Sequence, residues 1–186
     1  MARNLKSTGK VTRKEGRDSL SSLQLSSDDV HIWRASLEQP LEDVAKFFAL
    51  LSPDEVVRAE RFYFERDRSH FIVGRGLLRT FLGRYLEMEP ARVEFSYGPY
   101  GKPALKSVFH GKALQFNLSH SNSVAVFIFS WNRLVGIDVE QVRSILDEDR
   151  FAEQLFSARE GRFIGSLSGE QKLDSFFKIW TCKEAF

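Results

Sequence analysis

Hydrophobic and polar positions change rhythm several times along this chain. Residues 30–35 alternate, with Val30 and Ile32 on one face, which predicts a short strand. Residues 41–51 carry a helical pattern. Ser52 and Pro53 then supply an N-cap and a proline at the first helical position, so a second helix begins there. A third helix is predicted over residues 67–86, where Phe71, Leu78, Leu82 and Tyr85 form one apolar stripe. Gly74 and Gly76 interrupt it at about 1 kcal/mol each relative to alanine, which points to close backbone approach by something else. Period-two alternation returns over residues 92–97, 114–118, 123–131 and 134–140, predicting four strands separated by turn-rich segments. From about Ile145 the pattern is helical again. Ser157 and Glu160 have capping-box spacing, and a last helix opens near Ser168 or Gly169, with Phe176, Phe177, Trp180 and Phe186 on its apolar side. Helices alternating with antiparallel-looking strands predict an α+β fold.

Composition narrows the class. The 186 residues are 42% hydrophobic and 28% charged, which excludes a wholly disordered chain. No apolar run approaches the roughly 20 residues of a membrane-spanning helix. A net charge of +2 does not by itself call for a nucleic-acid partner. The single Cys182 excludes an intrachain disulfide and a cysteine-based zinc site, and no apolar signal segment is visible near Met1. The expectation is a cytoplasmic protein with no membrane and no nucleic-acid partner. Residues 1–29, basic and then serine-rich, read as a disordered leader.

Five groups of residues carry candidate chemistry. Asp138 and Glu140, in Gly136-Ile137-Asp138-Val139-Glu140, lie two apart, so a strand would project both carboxylates from one side, roughly 6.5–7 Å apart. Such a pair suits a hard cation such as Mg²⁺, and equally suits the solvent side of a half-buried strand. Seven arginines and no lysine lie between Arg58 and Arg84, with three acids. They fit either phosphate recognition or a solvated helix face paired with Glu60, Glu65 and Asp67, with Arg75, between its two glycines, set apart. Gly101-Lys102-Pro103 sits in a turn that either admits a ligand or simply closes a hairpin. Phe116-Asn117-Leu118-Ser119-His120-Ser121 runs from a strand into a polar turn whose Ser and His are able to bond phosphate or the turn itself. Lys183 and Glu184 close the last helix, and Glu184 is a candidate third carboxylate. Glu160 fits a cap or proton handling, and Cys182 reads as a passive small side chain.

In this order the segments resemble the 4'-phosphopantetheinyl transferases of the larger, surfactin-synthetase-activating type. The resemblance rests on Trp33, Arg61-Phe62-Tyr63-Phe64, Gly74-Arg75-Gly76-Leu77-Leu78-Arg79, Gly101-Lys102-Pro103, Phe116 to Ser121, Gly136 to Glu140, Phe156-Ser157 with Glu160, and Trp180-Thr181-Cys182-Lys183-Glu184-Ala185. It implies two similar α/β halves related by a pseudo-two-fold axis, here residues 30–131 and 132–186, with the active site between them. It implies transfer of the 4'-phosphopantetheine arm of coenzyme A to a serine of an acyl or peptidyl carrier protein, with release of 3',5'-ADP, by a monomer. By the same resemblance Asp138, Glu140 and Glu184 would hold Mg²⁺. Arg58, Arg75, Gly101, Lys102, Pro103, Ser119, His120 and Asp138 would contact coenzyme A. Glu160, Lys183 and Glu184 would serve catalysis, and Glu55 stands where some members have lysine. The family pattern continues past Lys183-Glu184-Ala185 with a further lysine, a glycine and more strands. The second half is therefore expected to be incomplete and the 186-residue chain poorly active. Two other readings stand beside this one: a non-catalytic coenzyme A-binding remnant, and a nucleic-acid-binding module built on the basic leader and the arginine-rich helix.

Overall fold

The computed structural model describes residues 11–15, 23–99, 101–106, 108, 111, 113–143 and 155–185. Among these the strands are β1 (Val11–Glu15), β2 (Val30–Ser36), β3 (Phe95–Tyr97), β4 (Pro103–Leu105), β5 (Leu114–Ser121) and β6 (Val124–Trp131). The helices are α1 (Leu41–Phe48), α2 (Pro53–Glu60), α3 (Glu65–Tyr85), α4 (Ala158–Gly165) and α5 (Gly169–Glu184), with a single 3-10 turn at Pro90–Arg92. The fold is α+β, as the alternation of patterns predicts.

The main sheet has the order β1-β2-β6-β5, and β3 and β4 form a separate hairpin. β2 and β5 both pair antiparallel with β6, while β1 joins β2 in parallel. The β5–β6 hairpin turns at Asn122, whose φ of 52° is one that asparagine tolerates better than most side chains. Helix α3 closes one face of the sheet. Its Phe81 stacks on Trp33 at 4.8 Å and meets Phe127 and Phe129 edge-on. Trp33, Leu78, Leu82, Phe127 and Phe129 are fully buried there, each contributing about 1.5–3 kcal/mol of burial. Polar ends in this core find partners: the Tyr85 hydroxyl accepts from Trp33 Nε1 at 2.9 Å and lies 2.8 Å from His31 Nδ1. Gly76 has its predicted use, since a Cβ there would overlap the Phe47 side chain of α1. A second, smaller core gathers Phe156, Ile164, Phe176 and Phe177 between α4 and α5.

Several sequence expectations need correction. The leader is not wholly without structure: Val11–Glu15 pairs with β2, Leu23 and Leu25 pack on the main core, and the Asp29 carbonyl accepts from Arg133 Nη2 at 2.9 Å. Residues 134–140 form no strand. Pro103, read as the end of a loop, instead opens β4, which pairs with β3 because the turn at Gly98 and Gly101 folds the chain back in register. Residues 92–94 are not strand, since Pro90 opens the short 3-10 turn before β3. The helical reading near Ile145 and the apolar role of Phe186 lie outside the described residues. Leu134 and Phe163 are exposed. Among the described residues no helix is long and apolar enough to cross a membrane.

Candidate functional site

Helix α3, the β3–β4 turn, strand β5 and the end of α5 converge on one cavity of about 360 Å³. Its wall includes Arg58, Arg75, Gly101, Lys102, Pro103, His120 and Glu184, seven of the residues singled out from sequence. Lys102 is placed by the hairpin turn: its carbonyl accepts from Gly98 N at 3.0 Å, and Gly101 N bonds back to Gly98 O at 2.9 Å. Gly101 has φ of 74°, a left-handed value that glycine adopts without strain, so the turn and the ligand-facing reading of this loop are compatible. Three cations, two histidines (His70 and His120) and one carboxylate facing a single cavity favour an anionic ligand.

Arg75 is the most constrained of these cations. Its side chain is only 7% exposed and lies 3.4 Å from Glu55. Its guanidinium stands over the rings of Phe71, Phe95 and Tyr97. Burial lowers its pKa from the usual arginine value, and Nη1 is buried with no hydrogen-bond partner. A charged donor left over in this way suits a phosphate or carboxylate oxygen. Arg58 stands over the other part of the Phe71 surface, 5.4 Å from the ring centre. Arg79, one turn beyond Arg75, belongs to the core: it bonds Glu55 at 2.7 Å and the carbonyls of Pro90, Ala91 and Val93. The solvated reading holds for Arg66 and Arg68, which pair with Asp67 and Glu65. Glu55 is therefore the internal counter-charge of Arg75 and Arg79, a role that its sequence position alone does not reveal.

The carboxylates of residues 138 and 140 are placed by β5 through hydroxyl groups. Ser119 Oγ donates to Asp138 Oδ1 at 2.5 Å, and Ser121 Oγ donates to Glu140 Oε2 at 3.0 Å. The same two oxygens accept from the backbone N–H of Val139 and Gln141 at 3.3 and 3.1 Å. Asp138 Oδ2 is buried and has no hydrogen-bond partner. An orphaned, buried carboxylate oxygen fits a cation, which is the test the sequence-derived metal ligands have to meet. Among the described residues, Asp138, Glu140 and Glu184 do not come together as a group of three side chains able to hold a metal. Gly136 brings α5 to this segment: a Cβ there would overlap the Ala185 carbonyl.

Glu160 and Lys183 lie apart from the cavity wall, paired with each other at 3.0 Å. Glu160 Oε2 accepts from the Ser157 N–H at 2.7 Å and from the Ser157 hydroxyl at 2.8 Å, completing the cap of α4. These bonds and Lys183 hold its pKa down at about 2. Bound in this way, Glu160 is a weak proton acceptor, and its capping role is the one on view. Sequence reasoning missed His70, Phe71 and Asn117, which also line the cavity. Burial, and next Arg66, lower the pKa of His70 below the usual histidine value. The signal available for His70 and Phe71 was their place one turn ahead of Arg75 on the same helix.

Residues 23–131 match the family described as 4'-phosphopantetheinyl transferase, N-terminal, and residues 134–186 match the 4'-phosphopantetheinyl transferase superfamily. The chain belongs to the 4'-phosphopantetheinyl transferases. It is 46% identical to the 4'-phosphopantetheinyl transferase HetI of a Nostoc species, over 89% of this chain and 70% of that protein. It is 27% identical to the transferase Sfp of Bacillus subtilis, over 83% of this chain and 67% of Sfp. A phosphopantetheinyl transferase of a Thraustochytrium species is 32% identical over 76% of this chain and 53% of its own length. The chain thus spans about half to two thirds of the length of these relatives.

Proposed function

We propose that this protein transfers the 4'-phosphopantetheine arm of coenzyme A to a serine hydroxyl of an acyl or peptidyl carrier protein, releasing 3',5'-ADP. The observation that carries the reading is the single cavity in which Arg58, Arg75, Lys102 and His120 face Glu184. Arg75, Arg58 and Lys102 neutralise and orient the phosphates of coenzyme A, and the Gly101 turn lets the backbone approach the ligand. The unpartnered Nη1 of Arg75 leaves one charged donor to be satisfied by a ligand oxygen. Ser119 and His120, on adjacent positions of β5, divide their work: Ser119 holds Asp138, while His120 lines the cavity. Asp138, Glu140 and Glu184 are the residues that the family resemblance assigns to Mg²⁺; the orphaned Oδ2 supports Asp138, while the three side chains are not gathered into one group among the described residues. When bound, the ion supplies charge neutralisation at the pyrophosphate. Phosphoryl transfer asks mainly for such positioning and neutralisation, which the side chains of this cavity are suited to provide. Lys183 sits beside Glu184 at the end of α5 and would handle a proton near the acceptor serine only by leaving its ion pair with Glu160. Glu160 joins in that only by releasing its cap.

The two halves, residues 30–131 and 132–186, are read as related by a pseudo-two-fold axis. The axis rests on the family resemblance alone; the two family matches support only the division of the chain near residue 132. A cytoplasmic monomer is proposed with it. The test is incubation with coenzyme A, Mg²⁺ and an apo carrier protein, followed by intact mass. The expected result is a carrier heavier by one phosphopantetheine arm, and no such product with Asp138→Ala. Equal transfer by parent and variant would overturn the role of Asp138. Coenzyme A binding without transfer would favour a non-catalytic binding protein.

A further inference from the structure

Residues 134–140 have the alternation of a strand, yet they make no backbone ladder with β5. Two serines of β5 take the place of that ladder. Ser119 and Ser121 lie two apart, as do Asp138 and Glu140, so the two-residue repeat of one segment matches that of the other. Each hydroxyl does two things at once. It accepts the backbone N–H that follows the acid, from Val139 or Gln141, and it donates to the carboxylate itself. A hydroxyl has the one donor and two acceptor sites needed for this double use. A backbone carbonyl would accept the N–H but has no proton to give to a carboxylate. The serine at each of these positions therefore fixes the segment and aims its acid together.

We propose that Ser121 is a positioning residue for Glu140, holding Oε2 so that the carboxylate is preset toward the cation held with Asp138. The inference rests on the metal assignment proposed above and deepens it. Ser119 performs the same act for Asp138: with Oδ1 bound to the hydroxyl, Oδ2 is left buried and unpartnered. Ser121 is the cleaner test because it is the last residue of β5 and its bond to Glu140 is solvent-exposed, whereas that of Ser119 to Asp138 is partly buried. Hydrogen bonds to metal-ligating carboxylates typically change metal affinity by roughly 10–100-fold when removed.

The experiment is a Mn²⁺ titration of the full chain in the presence of coenzyme A, read by electron paramagnetic resonance, with thermal unfolding in parallel. Ser121→Ala is expected to weaken Mn²⁺ binding by about ten-fold while the unfolding midpoint of the metal-free protein stays close to the parent's. Ser121→Thr, which keeps the hydroxyl, restores the affinity. On a Glu140→Ala background, Ser121→Ala has no further effect, because the group it aims is gone. Parent-like Mn²⁺ affinity in Ser121→Ala, with Asp138→Ala abolishing binding, would overturn the positioning role and leave the metal site intact. An additive effect of Ser121→Ala on the Glu140→Ala background would overturn it too. No Mn²⁺ binding by the parent chain removes the metal assignment and this inference with it.

Discussion

Glu55 is buried to 1% exposure and faces two buried guanidinium groups, Arg79 at 2.7 Å and Arg75 at 3.4 Å. Substituting Glu55→Gln removes one negative charge and almost no volume. The glutamine carbonyl is still able to accept from Ser52 N, which now bonds Glu55 Oε2 at 3.0 Å, so the start of α2 is kept. Arg79 also keeps its three carbonyl acceptors at Pro90, Ala91 and Val93. What is lost is the counter-charge of two desolvated cations. Removing one partner of a buried pair costs about 3–5 kcal/mol, and the retained carbonyls place this case near 3 kcal/mol. For a chain of this size each kcal/mol moves the midpoint by roughly 2–4 °C, so Tm is expected to fall by roughly 6–12 °C. Thermal and urea unfolding of Glu55→Gln measure it, beside Asp43→Asn as control. Asp43 pairs with Lys46 at 2.6 Å on an exposed turn of α1, where solvent screens the pair and its loss is expected to leave Tm close to the parent's. The reasoning fails if Glu55→Gln shifts Tm no more than Asp43→Asn does. It also fails if Arg79→Met lowers Tm equally in the parent and in Glu55→Gln, because the two charges would then be uncoupled.

Two further predictions concern the second half. Gly136→Ala pushes a methyl group into the Ala185 carbonyl and is expected to cost about 1–3 kcal/mol, as overpacking does. Gly161→Ala, in the interior of α4 with nothing near its added Cβ, is expected to be neutral or to stabilise by about 1 kcal/mol; urea unfolding that ranks the two the other way refutes the contact. Glu160 has a folded pKa of about 2, below its ordinary 4.5, so its stabilising effect is full above pH 4.5 and is lost as pH falls toward 2. Glu160→Gln is therefore expected to unfold at lower temperature than the parent at pH 7 and to match it near pH 2; a constant difference across that range would show that the charge is not involved.

Much of the architecture was legible in local pattern. Helix α3, the capping box at Ser157, the proline start of α2 and the alternation of β2, β5 and β6 are set by spacing within a few residues, where backbone geometry and side-chain period act directly. The cavity residues Arg58, Arg75, Lys102, His120 and Glu184 were also marked by residue type and by their motifs. Three outcomes were not legible. Residues 134–140 have a strand's alternation and form no strand, because the hydroxyls of Ser119 and Ser121 take the bonds that a neighbouring backbone would make. Glu55 has no partner that the sequence names and is a core counter-ion, because α3 places two arginines against it. Gly136 is required only because the end of α5, some fifty residues later, passes against it. Periodicity states which face of an element is apolar. Which distant charge or carbonyl meets that face is decided by packing, where the partners are far apart in the chain and near in space.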